Sequence, residues 1–145
     1  MLIGRHTISS PTSDLLIIPE ALRKSLSGRF FITQGFEQNL ILFSGEIFEK
    51  VSNKFLQMSL TDPLARLLSR MILSNATELE IGESGELLIP EYLRTVSKIQ
   101  DTVILVGQGV YCEIWSQEQW ELQELNLQDA EANSGRFTGH QLCIA

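Results

Sequence analysis

The stretch Leu15-Leu16-Ile17-Ile18-Pro19-Glu20-Ala21-Leu22-Arg23 returns as Glu86-Leu87-Leu88-Ile89-Pro90-Glu91-Tyr92-Leu93-Arg94. In each copy an apolar run ends at a proline, and a turn of helix opens with glutamate and closes with Leu-Arg. Proline has no N–H to give a ladder, and it drives the isoleucine before it into extended geometry. It also suits the first position of a helix, where a missing N–H costs little. Each copy therefore predicts a strand, a hard stop and a helix.

The likeness extends beyond these nine residues. At an offset of 71, Ile18, Pro19, Glu20, Leu22 and Arg23 match Ile89, Pro90, Glu91, Leu93 and Arg94. At an offset of 72, Gly35, Leu42, Phe43, Ser44 and Phe48 match Gly107, Ile114, Trp115, Ser116 and Trp120. The chain is thus an internal duplication. Each copy predicts a first strand (Thr7 to Ser9, Thr77 to Ile81), a polar loop, the Leu-Ile run and a short helix, the first ending near Gly28. Two hairpin strands follow, Phe30 to Thr33 with Leu40 to Phe43, and Thr102 to Val106 with Val110 to Trp115. Ser116 with Gln119 reads as a capping box, and Ser44 as the matching N-cap. Trp115 with Trp120, and Phe43 with Phe48, read as hydrophobic staples across those helix starts.

Between the copies, Phe48, Val51, Phe55 and Met58 recur at helical spacing. Asp62-Pro63 restarts a helix whose Leu64, Leu67, Leu68, Met71 and Ile72 predict a broad apolar face. Arg66 and Arg70 lie one turn apart on it, as a solvated face or in local ion pairs. Beyond Trp120 the chain is acidic, and Asn133-Ser134-Gly135 predicts the end of any helix, with a tail from about residue 130.

The totals narrow the functional classes. A hydrophobic content of 43% over 145 residues is that of a globular chain. The net charge of -7 argues against binding nucleic acid over the whole surface. Cys112 and Cys143 form no CxxC, so neither a disulfide framework nor a zinc site is expected. His140 with Cys143 lacks a second ligand pair. Gly107-Gln108-Gly109 lacks the third glycine of a dinucleotide fingerprint and reads as a hairpin turn. No signal peptide or membrane span is expected, nor any nucleophile motif, which excludes the commoner enzyme classes.

The doubled strand-Pro-helix, the Asp62-Pro63 start, Val106-Gly107, and Glu113-Ile114-Trp115-Ser116 before a second tryptophan together resemble the MraZ family. These are bacterial transcriptional regulators linked to the division and cell-wall gene cluster. The resemblance covers roughly residues 1–120. It implies an α+β, mainly β fold: a pseudo-twofold swapped-hairpin β-barrel of two SpoVT-AbrB-type repeats with linking and C-terminal helices. Residues 1–47 and 76–120 are then the repeats, 48–75 the linking helical segment and 121–145 an acidic helix end and tail. The family resemblance also implies a ring-shaped homo-oligomer that binds promoter DNA through the loop and strand before each proline, without enzymatic activity or cofactor, in the cytoplasm at the nucleoid.

One departure bears on that function. Where the family carries Asp-x-x-x-Arg ahead of the proline, this chain has Pro11 and Leu15 in one copy and Gly82 and Glu86 in the other. Leucine offers phosphate no donor and glutamate repels it. From Glu78 to Glu91 the second copy has five glutamates and no basic residue. The first repeat supplies the candidate DNA contacts instead: Arg5, Arg23, Lys24 and Arg29. For the symmetric Arg23 and Arg94, pairing with Glu20 and Glu91 at helical spacing is expected ahead of DNA contact. A second reading is a divergent paralogue that has lost DNA binding and co-assembles with, or modulates, a functional family member.

Overall fold

The computed structural model describes residues 1–12, 14–26 and 28–137. The first copy runs β1 (Arg5–Ser9), β2 (Leu15–Ile17), α1 (Glu20–Arg23), β3 (Phe30–Gln34), β4 (Leu40–Ser44) and α2 (Gly45–Leu56). After α3 (Pro63–Leu73), the second copy repeats this order as β5 (Thr77–Leu79), β6 (Glu86–Leu88), α4 (Glu91–Ser97), β7 (Thr102–Gly107), β8 (Tyr111–Ser116) and α5 (Gln117–Gln128). A further helix, α6 (Ala130–Phe137), follows.

The copies exchange strands. The main sheet has the order β1-β7-β8-β4-β3-β5, so each copy's hairpin is flanked by the other copy's first strand. A separate ribbon pairs β2 with β6. Equivalent residues oppose each other at two places: Leu16 faces Leu87 in the ribbon, and Ile41 faces Glu113 between β4 and β8. A pseudo-twofold axis passes through both rungs. At the first, two leucines are almost wholly buried, each contributing about 1.5–3 kcal/mol. At the second the symmetry is chemical nonsense for a bare carboxylate, and side chains repair it. Glu113 accepts hydrogen bonds from Asn39 Nδ2 (3.2 Å), Gln108 Nε2 (3.1 Å) and Trp115 Nε1 (3.3 Å).

Both faces of the sheet are covered, which is why β4, β7 and β8 read as nearly unbroken apolar runs. Leu40, Leu42, Val103, Leu105, Cys112 and Ile114 point to the ribbon and meet Leu16, Ile18, Leu87 and Ile89. The alternate residues point the other way. Ile41 and Phe43 pack with Phe48 and Ile72, beneath α2 and α3. Ile104, Val106 and Trp115 pack with Trp120 of α5. The hydrogen-bonded ladder does not close into a barrel. It stops at β1 and β5, where the loops carrying Pro11, Gly82 and Gly85 leave it, and the ribbon caps the inner face instead.

Local expectations hold at both long-helix starts. The Ser44 and Ser116 hydroxyls accept from the backbone N–H of Ile47 (3.3 Å) and Gln119 (3.1 Å). The staples are formed, with ring centroids 6.0 Å apart for Phe43–Phe48 and 5.6 Å for Trp115–Trp120. Asp62 caps α3 through Leu64 N–H at 2.9 Å.

Three expectations need correction. First, α1 ends at Arg23 rather than near Gly28, and single turns at Ser25 and Leu26 carry the chain on. Second, Asn133-Ser134-Gly135 does not stop the chain from coiling. Asp129 leaves the helical region and accepts from Ala132 N–H at 3.1 Å, so α6 restarts and runs through the three residues. Third, the apolar face of α3 is split. Leu68, Met71 and Ile72 join the core, while Leu64 and Leu67 face outward. His140 and Cys143 lie outside the described residues.

Candidate functional site

Strand exchange decides which residues meet at the loops. The loop before β2 belongs to the first copy, yet its Asp14 carbonyl accepts from Ile89 N–H of the second at 2.8 Å. Reciprocally, Gly85 of the second loop accepts from Ile18 N–H at 2.8 Å. Each loop is thus fastened to the opposite copy's Ile-Pro corner.

An arginine locks each corner. Arg23 Nε donates to the Ile18 carbonyl at 2.9 Å, and Arg94 Nε to the Ile89 carbonyl at 3.1 Å. The shared structural role expected from their symmetry is present, but the carbonyl ahead of the proline takes the place of Glu20 and Glu91. A carbonyl at that turn needs a donor, and one guanidinium Nε–H satisfies it in each copy. Arg23 also reaches across to the Glu83 carbonyl at 3.3 Å. Gly85 adopts φ +89, and a Cβ there would lie 2.5 Å from the Ile18 carbonyl oxygen. Only glycine fits that approach.

The two loops differ chemically. In the first, Thr12 Oγ1 donates to the Asp14 carboxylate at 2.6 Å, and the Ser10 hydroxyl, with one proton to give, lies against both the Thr12 and the Leu15 carbonyls. The Thr12 hydrogen bond, helped by the backbone and by the charge of Arg94, holds Asp14 below its ordinary 3.8. In the second, the Glu86 carboxylate folds back to accept from Ser84 N–H at 3.2 Å. Glu86 thereby shapes its own loop, and Leu15 pairs opposite Leu88 in the ribbon.

The four sequence-derived cations do not form one patch. Arg5 starts edge strand β1, pairs with Glu124 of α5 at 2.8 Å and lies 5.6 Å over the Trp120 ring. Arg29 pairs with Glu78 of β5 at 2.6 Å and lies 5.2 Å over Phe31, toward the opposite edge of the sheet. Arg23 belongs to the Ile18 corner, and Lys24 stands exposed beside it. Summing charge copy by copy misses the outcome of the exchange, which sets Arg23 against the acidic loop and Arg94 near Asp14. The paired glycines Gly82 and Gly85 were the available signal that the second loop is tightly built. Among the described residues no group of three His, Cys, Asp or Glu is placed to hold a metal.

Two strand-Pro-helix copies that trade strands about a pseudo-twofold axis, each proline corner gripping the other copy's loop, define an α+β, mainly β protein built from an internal duplication. The family model described as "MraZ protein, putative antitoxin-like" matches residues 16–71 and again 72–138, and the chain belongs to the MraZ family. It is 34% identical over 121 residues to the transcriptional regulator MraZ of Caldanaerobacter subterraneus subsp. tengcongensis, covering 83% of this chain and 85% of that protein. The regulator of the same name from Thermoanaerobacter pseudethanolicus is 36% identical over 121 residues, with the same coverage of 83% and 85%. That of Symbiobacterium thermophilum is 38% identical over 105 residues, covering 72% of this chain and 76% of that protein. These relatives are named as regulators, not as enzymes. No helix of the described residues is long and apolar enough to cross a membrane.

Proposed function

We propose that the chain is a MraZ-type transcriptional regulator that binds promoter DNA as a ring-shaped homo-oligomer, without a cofactor and without an enzymatic step, and so works at the nucleoid. The observation that carries this reading is the reciprocal loop lock. Both loops are tied by backbone bonds to the opposite Ile-Pro corner and held under an arginine, the rigid presentation that a binding loop needs. Arg5, Arg23, Lys24 and Arg29 are the proposed contacts, with exposed Lys24, next to the corner-bound Arg23, as the freest of them. Contacts of this kind act on phosphate and fade with salt.

The test is fluorescence anisotropy of a labelled promoter duplex with repeated short boxes, over a salt series. The wild type is expected to bind with a steep salt dependence, and Lys24→Ala to reduce the logarithmic slope by about one. Replacing all four cations by alanine is expected to abolish binding. A wild type that shows no salt-dependent binding sinks the reading.

A second reading has its own support. Arg5 and Arg29 already neutralise Glu124 and Glu78, and the family's motif places hold Leu15 and Glu86. A paralogue that acts through protein contacts on a functional family member would show this pattern. It predicts co-purification with such a regulator, and tight sequence-specific DNA binding by the isolated chain excludes it.

A further inference from the structure

Two helices carry apolar faces that nothing among the described residues covers. On α3, Leu64 and Leu67 are 74% and 62% exposed. On α5, Leu122 and Leu125 are 55% and 65% exposed. Both pairs have the three-residue spacing that makes a stripe on a helix. Neither pair supports its own fold: α3 rests on the core through Leu68, Met71 and Ile72, and α5 through Trp120.

The charges around the stripes are opposite. Between Pro63 and Leu73, α3 carries Arg66 and Arg70 and no acid. Between Gln117 and Gln128, α5 carries Glu118, Glu121 and Glu124 and no base. Arg70, Glu118 and Glu121 are exposed, and none of the ion pairs found among the described residues uses them. Laid antiparallel, Leu64 falls opposite Leu125 and Leu67 opposite Leu122. The next turn then sets Arg70 against Glu118. Laid parallel, the leucines still meet, but Arg70 faces the Gln128 end and Glu118 faces the Asp62 cap.

We infer that α3 of one copy docks antiparallel on α5 of a second copy, with Leu64, Leu67, Leu122 and Leu125 at its centre and Arg70–Glu118 at its rim. One chain cannot make this contact with itself, because α3 sits over the β3 and β4 side of the sheet and α5 over β7 and β8. The joined faces are different, so the contact is heterologous and each copy still offers one free face of each kind. That is the geometry a ring requires. The inference rests on the homo-oligomer reading above and names the surface that would carry it.

The test uses the full chain and two double variants, Leu64→Glu with Leu67→Glu, and Leu122→Glu with Leu125→Glu. The positions are exposed, so the fold is expected to survive, and far-UV circular dichroism checks it. Light scattering after size-exclusion chromatography should give an assembly for the wild type and a monomer for each variant. Mixed, the variants should form a one-to-one heterodimer, since each retains the face the other lacks. Arg70→Glu and Glu118→Arg should each loosen the wild-type assembly severalfold, and the two together should restore it.

If the wild type assembles and both variants assemble as well as it does, the docking falls while the oligomer reading stands. A monomeric wild type sinks both. Disruption by the α3 variant alone points to a self-paired α3 face and overturns the inference. So does a mixture of the two variants that stays monomeric.

Discussion

At Gly85 the backbone of one copy touches the other, and a single methyl group is enough to disturb it. The positive φ and the 2.5 Å approach to the Ile18 oxygen both forbid a side chain. Gly85→Ala should cost about 2–3 kcal/mol in urea unfolding, against about 1 kcal/mol for Gly28→Ala, where φ is +90 but the space is open. Removing either corner arginine leaves a carbonyl short of a donor, so Arg23→Ala and Arg94→Ala should each cost about 1–3 kcal/mol, and by nearly the same amount. Cys112 makes a pH-dependent prediction. Burial pushes its thiol up to about 12 from an ordinary 9.0. The folded state therefore holds this proton more tightly than the open chain does. The resulting stability is complete below about 9 and is lost as pH climbs toward 12. Unfolding midpoints of the wild type should fall faster than those of Cys112→Ala across that window. In a Cys143→Ala chain, a thiol reagent should label Cys112 only as fast as the fold opens.

Among the elements, the caps and staples carry the most predictable energies. Ser116→Ala removes the acceptor for Gln119 N–H and should cost about 1 kcal/mol, as should Ser44→Ala. Urea midpoints measured against wild type check both. These features were legible because their partners lie within five residues of one another. The same locality made the strand, proline and helix order readable in both copies. What escaped was set by which of several competing partners a group takes, and by which side of an element faces the sheet. Asn133, Ser134 and Gly135 are poor helix formers, yet Asp129 caps a new helix and Asn133 Nδ2 donates to the Asn126 carbonyl at 2.6 Å. The α3 stripe looked uniformly apolar, and only the position of the sheet reveals that Leu64 and Leu67 face away from it. The arginine partners were missed for a related reason. Helical spacing suggested Glu20 and Glu91, but a carbonyl stranded at a proline turn competes for the guanidinium and wins.

Over the whole molecule, the doubled grammar announced a pseudo-twofold arrangement, whereas the composition of the loop sites depended on which strand crossed over. Arg5 illustrates the difference. As sequence it is a free cation near the first loop, and in the fold α5 holds it at 2.8 Å through Glu124. With its two side chains 51% and 37% exposed, this pair contributes about 0–1 kcal/mol to stability. Glu124→Gln should therefore leave the unfolding midpoint almost unchanged, while tightening any DNA binding that uses Arg5; anisotropy on the same duplex separates the two effects. The exchanged strands also bear on how the chain acquires its structure. Arg5 of β1 pairs with Val106, about a hundred residues later. An emerging polypeptide cannot complete this ladder until β7 has been synthesised, and both edges of the first repeat's own hairpin wait for strands of the second. Long sequence separation of this kind slows folding. A ribosome-stalled chain ending before residue 102 should be readily cleaved by protease, and the full-length chain should become resistant only after release of β7 and β8 from the exit tunnel.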